Sequence, residues 1–381
     1  MKIAILGFGV VGSGAYEILK ASGYEVAKIL DIRPHDDLAG VITTDFDDIL
    51  NDSEIGVVAE AIGGLEPAHT FLVKAIKAGK HVISSNKHLI CTYYDELLAL
   101  AREHGVTVRF SASAGGGIPW LHNLHRATRC DTITKVWGIM NGTTNFILDA
   151  MITDSADFAD VLATAQDLGY AEADPSADID GLDTARKTAI SSSIAFNAEI
   201  TEDAVEVFSL RNVKKSDIDY VKGELGMSIR YLGYGVRGGD AVSVYVEPTV
   251  ICNDSLLSGV RKNNNMISLV GDNVGQLSFF GQGAGKYPTG TAVAQDIIDV
   301  INGDVSTLIP GARIRVDNSI VIKSYYIRTK ADIPAEIIES NKAFDGYNFA
   351  ITKPVSVVAM HRLAKEILSK DGESFFAGIE R

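Results

Sequence analysis

The sequence predicts an α/β protein: a doubly wound parallel sheet comes first, a second α+β domain follows, and a small C-terminal αβ module closes the chain. Three observations predict it. An apolar run, Ile3 to Leu6, meets a glycine turn and then a helical stripe of Ala15, Ile18 and Leu19 that stops at Gly23. Strand-like and helix-like stretches then alternate to about residue 111, the pattern of a parallel sheet with crossover helices. From Asp131 the period shifts to the in-out alternation of strands with one face exposed.

In order, Tyr24 to Asp31 reads as the second strand and Gly56 to Ile62 as the next, followed by a helix over Pro67 to Ala78 and a strand at His81 to Ser84. A helix over Tyr93 to His104 and a strand at Thr107 to Ser111 lead into the run Gly115-Gly116-Gly117. This sets a first domain at 1–125, to which a helix at 288–302, with the apolar stripe Ala292, Val293, Ile297, Ile298 and Ile301, returns. Strands at Thr132 to Met140, Val244 to Cys252 and Asn265 to Phe280 surround a helical middle and mark a second domain, 126–316. The remainder, 317–381, holds two strand-like stretches and a helix over about Ser356 to Ser369.

Composition narrows the class. The chain has 381 residues, 46% hydrophobic and 22% charged, with a net charge of −14. Its 35 basic residues are scattered, which argues against a nucleic-acid or anionic-membrane surface. Three cysteines, Cys91, Cys130 and Cys252, show no CxxC spacing, so neither a disulfide framework nor a zinc site is expected. With no basic leader and no apolar run of spanning length, a cytoplasmic protein is expected.

The turn Gly7-Phe8-Gly9-Val10-Val11-Gly12 stands directly between a strand and a helix, the context a dinucleotide fingerprint requires. One glycine makes the turn, one admits the pyrophosphate, and one lets helix and strand pack. Asp31, at the end of the second strand, is placed to accept from a ribose diol and to repel a 2′-phosphate. Arg33 is placed to grip that phosphate. NAD is therefore favoured and NADP stays open. Asn86 and Lys87 follow the fourth strand on the carboxyl edge where such sheets bind ligands, and Gly63-Gly64 end the neighbouring strand at the same edge.

The second candidate site is the stretch from Gly169 to Lys187, which places five carboxylates between Glu172 and Asp183. Asp183 and Lys187 stand four apart on a helix, on one face. A calcium loop is a poor reading, because aligning Gly181 with the turn glycine of an EF-hand loop puts Lys187 where the bidentate glutamate belongs. A solvated surface ion pair and a substrate site remain. The apolar, uncharged run after Lys187 favours a buried helix; in the substrate reading, Glu172 and Asp183 hold an amino group while Lys187 handles a proton.

Taken together these residues resemble the homoserine dehydrogenase family over residues 1 to about 315. The resemblance rests on Gly7 to Gly12, Glu60-Ala61-Ile62-Gly63-Gly64, Asn86-Lys87, Gly116-Gly117-Ile118-Pro119, Asn141-Gly142-Thr143-Thr144-Asn145, the stretch 169 to 187, and Gly281-Gln282-Gly283-Ala284-Gly285 before Pro288-Thr289. It implies a Rossmann-type domain binding NAD or NADP and a second domain that binds substrate and dimerises. It implies interconversion of L-aspartate 4-semialdehyde and L-homoserine, in threonine and methionine biosynthesis. Lys187 resembles the family's proton donor, Lys87 its second essential lysine near cofactor and substrate, and Glu172 and Asp183, with Gly169 opening their stretch, its substrate-binding residues. Gly63 and Gly283 match positions lining the cofactor. The rivals are a related dehydrogenase acting at an amine carbon and a non-catalytic sensor of NAD and an amino acid.

The sequence departs from the family at two places. Ser111 stands where the family usually has a glutamate that helps hold a monovalent cation; the carbonyls of Ala114, Gly116 and Ile118 could still serve, but a bound metal is not the expectation. The tail segment Lys330-Ala331-Asp332-Ile333-Pro334-Ala335 is similar to the opening of an ACT domain but lacks the usual glycine after the proline, and the tail is short for that module. A degenerate ACT-like element for packing or dimerisation is the expectation for it.

Overall fold

The computed structural model describes residues 1–35, 38, 40–306, 308–311, 313–344 and 346–380. They form two compact units: Met1–Thr132 with Ile190–Thr201 and Gly281–Arg313, and Ile133–Ala189 with Glu202–Phe280 and Ile314–Arg381.

The first unit runs β1 (Lys2–Leu6), α1 (Val10–Ala21), β2 (Val26–Leu30), β3 (Ile42–Thr43), α2 (Asp47–Leu50), β4 (Ile55–Glu60), α3 (Ala68–Lys77), β5 (His81–Ser84), α4 (Lys87–Thr92), α5 (Tyr94–Glu103), β6 (Val108–Arg109) and α6 (Trp120–Thr128). Its six strands lie in the order β3-β2-β1-β4-β5-β6, all paired in parallel. Successive crossovers leave β1 in opposite directions, so a crevice opens at the carboxyl ends of β1 and β4. Ile3 and Ile5 of β1, Val57 and Ala59 of β4 and Ile83 of β5 are buried against Ala15 and Leu19 of α1 and against Val293, Ile297 and Val300 of the returning helix. Continuous burial of these strands is what a sheet covered on both faces requires.

Two strands end sooner than the sequence pattern suggests. β4 stops at Glu60 rather than Ile62 because the Glu60 carboxylate accepts from the Ile62 and Gly63 N–H groups and turns the chain. β6 stops at Arg109 rather than Ser111 because residues Ser111–Ser113 coil into a 3-10 turn. Both the N–H and the hydroxyl of Ser111 donate to Asp296 at 2.8 Å.

The second unit holds β7 (Ile133–Ile139), α7 (Gly142–Asp154), α8 (Phe158–Asp167), α9 (Ser176–Ile179), the start of α10 (Leu182–Phe196), β8 (Glu206–Val207), α11 (Lys215–Glu224), β9 (Met227–Gly238), β10 (Ala241–Cys252), β11 (Asn264–Gly271) and β12 (Gly275–Gln282). After α12 (Lys286–Ile301), which belongs to the first unit, come β13 (Arg315–Val316), β14 (Ile322–Lys323), β15 (Tyr325–Thr329), β16 (Ile338–Phe344), β17 (Tyr347–Thr352), β18 (Val355–Ser356), α13 (Val357–Leu368) and β19 (Phe375–Glu380). An 11-stranded mixed sheet runs β12-β11-β7-β9-β10-β19-β15-β17-β16. Its spine is the long antiparallel pair of β9 and β10, in register from Ala241 with Gly238 to Cys252 with Met227. The other edge of β10 is shared by three short parallel strands: β13 at Ala241 and Val242, β8 at Tyr245 and Val246, and β19 at Thr249 to Ile251.

The tail therefore has more strands than its pattern shows. β16 is paired to β17 and is exposed at nearly every position, so it leaves no in-out alternation to read. One face of the tail strands, with Tyr325, Ile327 and Phe376, packs on Met360, Ala364 and Ile367 of α13. The other meets α11: Tyr220 stacks on Phe349 with ring centroids 4.8 Å apart, and Asp217, wholly buried, accepts from Tyr326 and Arg328 at 2.7 Å each.

Candidate active site

At the amino end of α1 the backbone is shaped by glycine for two different reasons. A Cβ built on Gly12 would lie 2.0 Å from the Gly7 carbonyl oxygen, so only glycine lets the helix close on the turn. Gly9, by contrast, has an ordinary φ of −80°. A Cβ there would meet nothing within 4 Å. The protein's own packing does not ask for glycine at that position; close approach of a pyrophosphate does. The helix has no capping side chain and no acid in its first turn, which leaves its first N–H groups and its dipole for an anion. These features fit a dinucleotide.

Asp31 closes onto this turn. Its carboxylate accepts from the Phe8 N–H at 2.7 Å and from the Arg33 N–H at 2.9 Å, and the Arg33 guanidinium grips it at 3.2 and 3.0 Å. The Arg33 side chain and these backbone N–H groups outweigh burial and hold the Asp31 carboxyl well below the usual carboxylate range. The acid and the base that the sequence offers as alternative cofactor contacts are thus bonded to each other. Arg33 still exposes much of its side chain, 60%, whereas Asp31 exposes 5%.

The neighbouring strand ends are tied to one another. Buried Glu60 accepts from Ile62 and Gly63 with one oxygen and from the Ser84 hydroxyl at 2.6 Å with the other. Asn86 caps α4 by accepting from the Leu89 N–H, and its amide donates to the Gly64 carbonyl at 2.5 Å. Lys87, half-buried, is the first residue of α4, at the carboxyl end of β5. Gly283 packs against Gly116, where an added Cβ would come within 2.4 Å of its carbonyl carbon.

In the second unit, Lys187 is buried and donates to the Met140 carbonyl and to Asp183, both at 2.8 Å. The Asn141 amide spends one hydrogen on Asp183 at 2.9 Å and the other on Asp178 at 2.6 Å. Burial, and then the charge of Asp183, push the Asp178 carboxyl above its ordinary range. Gly181 lets α10 start here: its φ is +88°, and a Cβ would fall 2.1 Å from the Tyr231 hydroxyl. The helix beyond Lys187 is buried through Phe196, so the surface ion-pair reading gives way to an enclosed one. A carboxylate, an ammonium and a carbonyl held this way can grip a polar substrate and deliver a proton.

Two other candidates lie outside this network. Glu172 is exposed, and its side chain makes no hydrogen bond or ion pair among the described residues; its carbonyl accepts from Gln166 at 3.1 Å. Gly169, with φ +72°, ends the turn after α8. Sequence reasoning passed over Asn141, Asp178 and the Met140 carbonyl. The signal for Asn141 was the Asn141 to Asn145 motif, quoted for resemblance without a role, and the signal for Asp178 was its place in the acidic run. Asn141 caps α7, and the Asn145 amide gathers the carbonyls of Val260, Lys262 and Asn264.

Two family models match in succession: "Homoserine dehydrogenase, NAD binding domain" over residues 7–111 and "Homoserine dehydrogenase" over residues 119–298. The chain is 38% identical to the homoserine dehydrogenase of Bacillus subtilis over 316 residues, covering 79% of this chain and 73% of that one. The chain belongs to the homoserine dehydrogenase family. The Lactococcus lactis enzyme is 32% identical across 97% of this chain and 87% of its own. The crystal structure of a homoserine dehydrogenase from Thiobacillus denitrificans superposes with a TM-score of 0.88 at 31% identity, covering 100% of this chain and 98% of that one. As a homoserine dehydrogenase the chain is an NAD(P)-dependent oxidoreductase, on a Rossmann-type sheet with a second, mixed domain.

In this chain Ser111 is held in a hydrogen-bonded pair: Asp296 takes both donors of Ser111 and stands 3.9 Å from Arg109. Among the described residues no group of three or more His, Cys, Asp and Glu side chains could hold a metal ion.

Proposed function

We propose that the chain interconverts L-aspartate 4-semialdehyde and L-homoserine with Lys187 as the proton donor to the aldehyde oxygen. The observation that carries this is the enclosed network of Asn141, Asp183, Lys187 and the Met140 carbonyl. Bound NAD(P)H supplies the hydride. Lys187 then gives its Nζ proton to the oxygen on which negative charge develops, and Asp183, bonded to Nζ at 2.8 Å, holds the ammonium in position. Asp183 and Glu172 receive the substrate's amino group. Glu172 suits this because its exposed carboxylate can take a ligand without breaking a bond to the protein. The turn Gly7 to Gly12 with Phe8, Val10 and Val11 cradles the pyrophosphate, and Gly63, Asn86, Lys87 and Gly283 line the same cofactor. Arg33, steered by Asp31, reaches a 2′-phosphate in NADP; NAD requires Arg33 to release the Asp31 carboxylate for the ribose diol.

The wider reading places the enzyme in the cytoplasm, in threonine and methionine biosynthesis, as a homodimer or higher oligomer. Association through the second domain is supported by β12, an edge strand that exposes Leu277 and Phe280. The domain reading stays at 1–125 with the helix 288–302, 126–316, and 317–381. The tail is read as a degenerate ACT-like element, since β15, β16, β17, α13 and β19 follow the strand-helix order of a ferredoxin-like unit with a 3-10 turn in place of its first helix.

Homoserine-dependent reduction of NAD(P), absent with aspartate, tests the reaction against the rival that acts at an amine carbon. Lys187→Ala should abolish turnover and leave cofactor binding intact; undiminished turnover would remove Lys187 from the mechanism.

A further inference from the structure

A cavity of about 200 Å³ in the first unit takes no part in the proposed reaction. It lies beside β6, and β6 is three strands from β1 in the sheet, about 14 Å from the glycine turn at the usual strand spacing. Its walls are unusually basic for a chain of net charge −14: Arg109 comes from β6, and His122, His125, Arg126 and Arg129 come from one face and the end of α6. Asp304 is the one acid among the described wall residues, and Asp299 stands 3.9 Å from His122.

The charges divide into two groups. Arg109 is nine-tenths buried and is held by Asp299 at 3.1 Å and by the carboxylate of Asp304 at 2.9 Å. Its Nε–H, though buried, has no acceptor. Arg126 and Arg129 have no carboxylate partner among the described residues. Burial, and then the positive charge of Arg129, Arg109 and His122, hold His125 below its ordinary range; the permanent exposed charges of the wall are those of the two arginines. Cations near the carboxyl end of a helix are favoured by its dipole. That accounts for Arg126 and Arg129 as isolated side chains but not for a concave wall they share with Arg109, His122 and His125.

We propose that this cavity is a binding site for a small polyvalent oxyanion of the phosphate class, separate from the dinucleotide site. Arg126 and Arg129 supply charge from α6, and the Arg109 guanidinium, held by its carboxylates, lines the same wall; planar guanidinium groups match the geometry of phosphate oxygens. The volume, several times that of one water, admits a phosphate or a diphosphate.

The probe is inorganic pyrophosphate, titrated calorimetrically into the full chain at fixed ionic strength with NADP present at saturation, so that the glycine turn is filled. The expected result is one site per chain that survives NADP and weakens at least tenfold in Arg126→Gln/Arg129→Gln. Acetate at the same ionic strength is expected to give no heat. Loss of the signal with NADP would assign the binding to the glycine turn and overturn the proposal. Unchanged affinity in the double variant, with its KM for NADP still that of the parent, would overturn it as well. If the double variant fails to fold, Arg129→Lys is the second probe, and weakened pyrophosphate binding with unaltered thermal stability is expected.

Discussion

Replacing Lys187 by methionine keeps the length of the side chain and removes its charge. The structure gives two separate magnitudes. If Lys187 is the general acid, its removal costs about 10² to 10⁴ in kcat, or roughly 2.7 to 5.4 kcal/mol of transition-state stabilisation. Removing the ammonium also strands Asp183, which exposes 7% of its side chain and keeps the Asn141 amide. Breaking a buried pair from one side costs about 3 to 5 kcal/mol in stability. The double variant Lys187→Met/Asp183→Asn removes both charges and should recover most of that stability without recovering turnover. The assay pairs initial rates of homoserine oxidation with thermal melts and with NADP binding followed by fluorescence. A single variant whose kcat falls less than tenfold, or a double variant that regains rate along with stability, would refute the proton-donor role and leave Lys187 a structural residue.

Arg33→Ala should raise the KM for NADP roughly ten- to a hundredfold, the worth of charged hydrogen bonds to a phosphate, while the KM for NAD holds steady or falls as the Asp31 carboxylate is freed; parallel steady-state kinetics check it. Gly12→Ala should raise the KM for either cofactor at least tenfold, because its Cβ would meet the Gly7 carbonyl at 2.0 Å; the same kinetics apply. Asp296, buried and raised to about 6, binds more protons folded than unfolded, so its contribution to stability falls as pH rises from its ordinary value near 3.8 to about 6, by roughly 3 kcal/mol. Asp296→Asn should therefore gain on the parent by about that amount between pH 4 and pH 7 in denaturant titrations. Asp217→Ala leaves Arg328 buried without its carboxylate and should cost about 3 to 5 kcal/mol, seen as a lower melting temperature with the KM for NADP unmoved.

The parallel sheet was legible because fully buried strands and glycine punctuation are local signals, and Gly7 to Gly12 carries its meaning within one turn. The pair of Asp183 and Lys187 was legible for the same reason, four residues on one helix. The rest of that network was not: the Met140 carbonyl and the Asn141 amide come from 47 and 42 residues earlier and are recruited by folding, without any periodicity. Glu172, in the same acidic run, stays outside this hydrogen-bonded network, and Asp178 of α9 is the carboxylate that Asn141 gathers. Asp31 and Arg33, two residues apart, were read as alternative contacts, one for a ribose diol and one for a 2′-phosphate, and their bond to each other is set by the folded turn, where Asp31 also accepts from the Phe8 N–H.

The free edge of β10 is completed by residues 206–207, 315–316 and 378–380, three segments far apart along the chain. The hairpin of β9 and β10 closes over a short turn and can form early, whereas its second edge waits for contacts of high sequence separation, which are slow to make. Until residues 375–380 arrive, β10 presents unpaired backbone groups that another chain can capture. During synthesis the growing polypeptide thus passes through a period in which its longest hairpin is assembled but still adhesive, and the sequence beyond residue 314 acts as the built-in closure of that edge.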